Sequence, residues 1–304
     1  GGGGATTWAA LGDKNNANGP TTIALGELAG NTGQSTNAVA IGKEAGMTSQ
    51  GGGVADGAVA IGHTAGKTNQ DQGAIAIGKA GVTNQGQFAT AIGWGSGITS
   101  QGDGAMAIGV NTGQTNQGTY ASAFGAEAGF TTQGTHAIAS GYRAGKTSQG
   151  SQAVAIGKES AETSQGLNSV AIGVFAGRTN QGESSVAVGE SAGKTDQGQN
   201  SIAIGWESAQ TGQGTTATAV GNAAGKTNQG EDATAIGAGA GVTNQGVAAV
   251  AIGAGAGYTT QSANAVAIGL EAGNATQGSQ AVAIGSTAGK TTQGTEAIAI
   301  GGGA

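Results

Sequence analysis

The sequence predicts an all-β fold, a parallel β-solenoid of about 18 coils with sixteen residues in each. A repeat is the first reason. A glycine closes an apolar phrase of the type A-V-A-I-G again and again along the chain, and from Gly93 to Gly301 every step between these glycines is sixteen residues. Alternation within the phrase is the second reason, and the lack of any apolar stripe with helical spacing is the third.

Each repeat is predicted to hold two short strands. In residues 38–42, Val39 and Ile41 point to one face and Ala38 and Ala40 to the other, because side chains alternate along a strand. The branched residues favour extended backbone, and the glycine that follows permits a sharp turn. A second extended segment is predicted at the pattern T-x-Q, with Gln-Gly turning the chain back. Such coils, stacked at strand spacing, would make a rod of roughly 85 Å.

The repeats divide the chain into two regions. Residues 1–20 are predicted to be a glycine-rich N-terminal segment and irregular cap, where Pro20 cannot donate to a strand ladder. Residues 21–304 are predicted to be the solenoid array. After the strand that ends at Ile300 the sequence has only residues 301–304, so we expect this edge to be covered by further coils, another domain or the next subunit of a filament.

Composition excludes several classes of protein. Leu, Ile, Val and Phe total only 44 of 304 residues, a level typical of disorder when net charge is high and no pattern exists. Here the net charge is −6 and the repeat is strict, so an ordered array is predicted. The chain has no basic cluster for nucleic acid and no apolar run near the roughly 20 residues that a membrane helix needs.

Both faces of the first strand are apolar, which predicts an obligate homo-oligomer. We expect the Val and Ile face to fill the coil interior and the Ala face to pack against sister chains. Two buried branched side chains per coil contribute roughly 3–6 kcal/mol. Ordering sixteen residues costs on the order of 16–32 kcal/mol, so a single chain has a thin margin. The glutamines of T-x-Q, from Gln34 to Gln293, are predicted to form a hydrogen-bonded ladder that serves as scaffolding.

No catalytic, cofactor-binding or metal-binding residues are predicted, and no enzyme activity. His63 and His136 lie more than four repeats apart, the chain has no cysteine, and its carboxylates are scattered. The residues after each closing glycine vary and are expected to face water. Trp94 and Trp206 among them are candidates for contacting a receptor or glycan, and a solvated surface that keeps the protein soluble is the plainer interpretation.

Residues 37–42, 168–173 and 200–205, each of the form N-[AS]-[VI]-A-I-G, resemble the head repeats of YadA-like trimeric autotransporter adhesins and of related phage and viral fibre proteins. The resemblance extends from about residue 8 to residue 301. It implies a left-handed β-roll, three chains side by side in a homotrimer, and attachment at an extracellular, cell or virion surface. The longer repeat here favours a fibre segment or a self-assembling filament.

The sequence therefore predicts a structural and adhesive fibre protein. The alternative is an ice-binding solenoid that presents one Thr per coil as a regular array. Lys or Arg often precedes that Thr, as at Lys67, Lys146 and Arg178, and charge beside the array argues against ice binding. A polysaccharide-cleaving enzyme on a β-helix would need a carboxylate cluster that the sequence lacks.

Overall fold

The computed structural model describes residues 22–51 and 57–304. Every regular element in this part of the chain is a β-strand, and the strands form a parallel β-solenoid with a repeat of about sixteen residues. The contacts divide the chain into a first unit, residues 1–151, and a second unit, residues 152–304. Each coil has a front strand of the V-A-I type and a back strand of the T-x-Q type, as the sequence predicts.

In the first unit the front strands are Ile23–Leu25, Val39–Ile41, Val59–Ile61, Ile75–Ile77, Thr90–Ile92, Met106–Ile108, Ser122–Phe124 and Ile138–Ser140. Its back strands are Thr32–Gln34, Thr48–Gln50, Thr68–Gln70, Thr83–Gln85, Thr99–Gln101, Thr115–Gln117 and Thr147–Gln149. Gln133 joins the back sheet through isolated bridges to Gln117 and Gln149.

In the second unit the front strands are Val154–Ile156, Val170–Ile172, Val186–Val188, Ile202–Ile204, Thr218–Val220, Thr234–Ile236, Val250–Ile252, Val266–Ile268, Val282–Ile284 and Ile298–Ile300. Its back strands are Thr163–Gln165, Thr179–Gln181, Thr195–Gln197, Thr211–Gln213, Thr227–Gln229, Thr243–Gln245, Thr260–Gln261, Thr276–Gln277 and Thr292–Gln293.

Register follows the repeat within each unit. Ala171 pairs with Ala187 in the front sheet and Gln181 with Gln197 in the back sheet, so each residue stacks on its equivalent one coil away. Val39 still pairs with Val59 although that step carries four extra residues, so the ladder of front strands is continuous across it. The cap predicted for residues 1–20 lies outside the described residues.

The structure reverses the predicted orientation of the front strand. Alanines such as Ala171 and Ala203 are fully buried inside the coil, whereas Ile172 and Ile204 point outward and remain 38% and 39% exposed. The prediction that Val and Ile fill the interior, with alanine facing sister chains, is therefore wrong. The apolar residues that pack inside the coil are small.

The width of the coil explains this reversal. Front and back strands lie so close that the space between them holds three small side chains and one glutamine per coil, for example Ala38, Ala40, Ala45 and Gln50. Valine and isoleucine do not occur there among the described residues, because protein interiors are close-packed and tolerate little excess volume. The one branched side chain inside the described coils is the smaller Thr112, at the position equivalent to Ala45. Serine replaces alanine at some inner positions, and its hydroxyl donates locally, as Ser185 Oγ does to the Gly182 carbonyl at 2.7 Å.

The buried glutamines tie the two sheets together. Gln213 Nε2 donates to the carbonyl oxygens of Ile202 at 2.8 Å and Ala217 at 3.2 Å, which lie at the start of the front strand in its own coil and just before the front strand of the next. Some glutamines also bond along the stack, as Gln261 Nε2 does to Gln277 Oε1 at 3.1 Å. The predicted scaffolding role is supported, although the recurring partner is backbone carbonyl and the amide ladder is only partial.

In most coils a left-handed residue in the back strand accompanies the inward turn of the glutamine, although Gln261 is buried without one. The middle residue of T-x-Q has a φ near +53° at Asn180, Asp196 and Asn228, and small polar residues tolerate this region well. The kink lets Gln face the interior although Thr, two residues earlier, does not. Where the middle residue is the β-branched Thr260, φ is not positive and the strand shortens to two residues.

The closing glycines allow adjacent coils to approach. Gly189 has a φ of +128°, and a Cβ on it would lie 2.6 Å from the carbonyl oxygen of Gly205. Gly189→Ala is therefore expected to destabilise the second unit by on the order of 2–3 kcal/mol, measured by thermal or chemical unfolding. Gly212→Asn is the control, since Asn228 holds the equivalent position at a φ of +53°. Equal unfolding midpoints for Gly189→Ala and the wild type would contradict this packing.

Candidate binding surfaces

The outward side of the front strands forms an apolar face in each unit. Its exposed members in the second unit include Ile156, Ile172, Ile204, Ile236, Ile252, Ile268 and Ile284, each 36–40% exposed. None of the front strands in residues 22–51 and 57–304 contains a charged residue. A continuous exposed apolar surface of this kind is typical of a protein interaction site. We call it the Val/Ile face.

Charged residues occupy the corner that follows the front strand. A glutamate two residues after the closing glycine pairs with a lysine nineteen residues later, in the next coil: Glu127 with Lys146 at 2.8 Å and Glu207 with Lys226 at 2.7 Å. Lys67 and Glu44 make the equivalent pair at 2.7 Å across the insertion. These lysines are among the cations that the sequence places just before Thr.

Corner ion pairs lower the pKa values of two carboxylates, those of Glu44 and Glu127. The hydrogen bond from Lys146 lowers the pKa of Glu127 below its usual value; partial burial opposes the shift, and a bond from Arg143 at 3.0 Å adds to it. Because the folded-state pKa is depressed, the pair stabilises the fold at neutral pH, and the contribution is lost as pH falls through that pKa. Such partly exposed pairs contribute little stability individually.

Aromatic side chains at the corners stand beside cations. Trp94 and Trp206, the two predicted contact residues, are 59% and 48% exposed in the first and second units respectively. Lys79 lies over the Trp94 ring at 5.7 Å. Phe175 occupies the corner position that is glutamate in other coils, and three cations surround its ring at 5.3–5.5 Å.

A shallow polar groove of about 770 Å³ crosses several coils of the first unit. Its floor is formed by the back strands and the Gln-Gly turns after them, and the polar side chains along it include Asn69, Asn84, Ser100 and Asp71. Asn69 Nδ2 donates to Asn84 Oδ1 at 3.0 Å, so amides are aligned along the groove. Thr119 and Thr135 line the groove where the chain turns toward the front strands.

An aromatic column adjoins this groove. Phe88, Tyr120 and His136 occupy the corner position that holds Asn or Ser in many other coils, and each has a left-handed φ of +55° to +58°. Phe88 and Tyr120 are 59% and 60% exposed, and the rings of Tyr120 and His136 lie 5.4 Å apart. The two threonines that line the groove immediately precede Tyr120 and His136 in the chain.

The structure places the predicted histidines on the surface. His63 and His136 are both exposed, and no group of three His, Asp or Glu side chains suited to a metal ion occurs in residues 22–51 and 57–304. In the same part of the chain no helix is long and apolar enough to cross a membrane.

The groove, the aromatic column and the ion pairs between glutamates and lysines nineteen residues apart were not predicted from the sequence. The signal for the pairing was present, because Glu127 and Lys146, like Glu207 and Lys226, recur at the same separation. The groove depends on how the back strands curve, which has no such signal.

Searches for relatives gave no assignment. No protein-family model matches the chain, and no curated protein is significantly similar to it.

Proposed function

We propose that the protein is a structural and adhesive fibre subunit whose chains assemble side by side through the Val/Ile face. The observation that carries this proposal is the exposure of regularly spaced branched side chains along front strands without charge. An isolated soluble chain would leave this face in water. The similarity of the N-[AS]-[VI]-A-I-G repeats to those of trimeric adhesin heads and viral fibres favours a homotrimer at an extracellular, cell or virion surface.

Further copies of the chain are the partners best suited to pack against the Val/Ile face. A partner must present apolar ridges at the spacing of stacked strands, about 4.8 Å, over many coils. A second copy has the same spacing and the same uncharged surface, so its ridges can interdigitate along the whole contact.

Length makes the association strong enough. Completing the burial of two branched side chains that are already more than half buried contributes on the order of 1 kcal/mol per coil. The ten front strands of the second unit would together contribute on the order of 10 kcal/mol and the eight described in the first unit on the order of 8 kcal/mol. The sum exceeds the roughly 4–15 kcal/mol that association costs. A few coils would not suffice, and a long uninterrupted array does.

The proposal is tested by the mass of the assembly in solution. Sedimentation equilibrium or light scattering at micromolar concentration is expected to give a multiple of the 28.4 kDa chain, with three chains favoured. A folded monomer at these concentrations would contradict the proposal.

An ice-binding surface remains the second candidate, because the back strands stack Thr on Thr in register, as Thr179 on Thr195. Cations such as Lys194 precede these threonines, and the exposed neighbour varies from Asn180 to Asp196. Thermal hysteresis with shaped ice crystals would favour this candidate over the fibre.

A further inference from the structure

We propose that the first unit binds a neutral polysaccharide chain along the groove between its back strands and the aromatic column. The inference deepens the adhesive part of the proposed function by naming a ligand class and a site. It rests on three features of the described residues: the aromatic column, the chemistry of the groove, and the spacing between Phe88 and Tyr120 along the stack.

The aromatic column is placed at a conformational cost. A left-handed φ is unfavourable for a bulky side chain. The equivalent position has the same left-handed φ with Asn168, Thr216 and Ala248, so the solenoid adopts this conformation without an aromatic residue. Strained residues that folding does not need are concentrated at functional sites. Phe88 and Tyr120 are therefore better explained by binding than by stability.

Each ring is held as a platform. A Cβ on Gly104 would lie 2.6 Å from the Tyr120 ring, and a Cβ on Gly73 would lie 2.7 Å from the Phe88 ring, so each ring rests on the backbone of the preceding coil. More than half of each residue stays open to solvent. The Tyr120 ring also has the His136 ring 5.4 Å away, so the Phe88 ring is the more open platform for stacking against the C–H face of a pyranose.

The groove beside the rings suits a ligand rich in hydroxyl groups. Asn69, Asn84 and Ser100 offer amides and hydroxyls that both donate and accept hydrogen bonds. Among the described residues that line it, Asp71 is the charged one and none is Lys or Arg. This favours a neutral glycan over an acidic one.

The main-chain hydrogen bonding of the back strands disfavours a peptide as the ligand of this groove. The back strands already bond to their neighbours in the stack, as Thr83 N–H does to the Ile98 carbonyl at 2.9 Å, so little main chain is left for an added strand. The groove is also open, and no aliphatic or aromatic side chain is among the described residues that line it.

The spacing fits an extended chain that runs along the stack. Phe88 and Tyr120 are two coils apart, roughly 10 Å at the strand spacing, with Gly104 between them. This separation matches the length of two pyranose units in an extended glycan. Phe88 and Tyr120 can therefore stack on alternate sugars while the groove binds hydroxyl groups of the same chain.

Isothermal titration with cellohexaose, laminarihexaose and chitohexaose tests the proposal, with hexagalacturonate as the acidic comparison. The full chain is expected to bind at least one neutral hexasaccharide, and more tightly than the acidic one. The double variant Phe88→Asn/Tyr120→Asn should bind at least tenfold more weakly, and Asn84→Ser severalfold more weakly. Trp206→Asn, which removes an exposed aromatic ring from the second unit, should bind as the wild type does.

Folding and assembly provide the necessary controls. Asn suits a left-handed φ, so the double variant should melt no lower than the wild type and should keep its assembly mass. Absence of binding by all three neutral glycans, equal binding by the double variant, or stronger binding of hexagalacturonate would overturn the proposal. A change of mass in the double variant would also overturn it, by placing the rings in the chain interface. If the wild type assembles but binds no glycan, only this inference fails and the fibre proposal stands.

Discussion

Ala171→Asp is expected to unfold at least the coils around residue 171. Ala171 is fully buried and stacks between Ala155 and Ala187, and no cation is available inside so narrow a coil. An unpaired buried carboxylate costs several kcal/mol, a large part of the total stability of a typical domain. The far-UV circular dichroism spectrum of the full chain should lose part of its β-sheet signal, or the melting temperature of the chain should fall steeply.

The adjacent residue provides the control for Ala171→Asp. Ile172 is 38% exposed on the Val/Ile face, so Ile172→Asp places its carboxylate in water in the free chain. It is expected to retain the β-sheet spectrum. Tolerance of Ala171→Asp together with unfolding by Ile172→Asp would restore the orientation first predicted from the sequence.

Charge on the Val/Ile face is expected to abolish assembly. Ile172→Lys combined with Ile204→Lys places like charges on two coils of a face that has no carboxylates to pair with them. If the face meets its equivalent in sister chains, the substitution removes apolar burial and adds repulsion in each copy. Sedimentation should then show a folded monomer in place of the assembly.

Glu190→Lys is the matched control for the charged face. Glu190 is exposed at a corner, outside the front strands, so changing its charge should leave the assembly mass unchanged. An Ile172→Lys/Ile204→Lys variant that retains the wild-type mass would mean that the Val/Ile face is not the interface.

The period and the strand alternation were enough to predict the coil. A fixed spacing between closing glycines and the pattern of Val39, Ala40 and Ile41 can be satisfied by little other than stacked strands. The back strand followed from T-x-Q for the same reason. These are local features, and the sequence contains them fully.

The sequence-based prediction of which face of the front strand points inward was wrong, because the more hydrophobic face was taken to be the interior one. Comparison of the repeats carries the opposite signal. The outward positions accept residues as different as Phe124, Ser140 and Thr218, whereas the position of Ala171 is alanine in every described coil. A position that accepts both Phe and Ser is not limited in volume, so it faces outward. A position restricted to the smallest side chains is the packed one.

The candidate sites were less predictable than the fold. Trp94 and Trp206 were recognised as exposed because they occupy variable corner positions. The groove arises from residues of six coils and from the inward turn of the glutamines, as at Gln85 and Gln101. In most coils that turn accompanies a left-handed middle residue of the back strand, and period-two reasoning does not anticipate it.

Cysteine cross-linking tests most directly whether alanine lies inside the coil and the Val/Ile face lies between chains. The chain has no cysteine, so a single substitution can cross-link only to another copy. Ile202→Cys or Ile204→Cys should give covalent dimers with a short bis-maleimide under native conditions, and Ala203→Cys should remain monomeric on a denaturing gel. Cross-linking through position 203, with none through 202 or 204, would contradict both the orientation of the strand and the proposed interface.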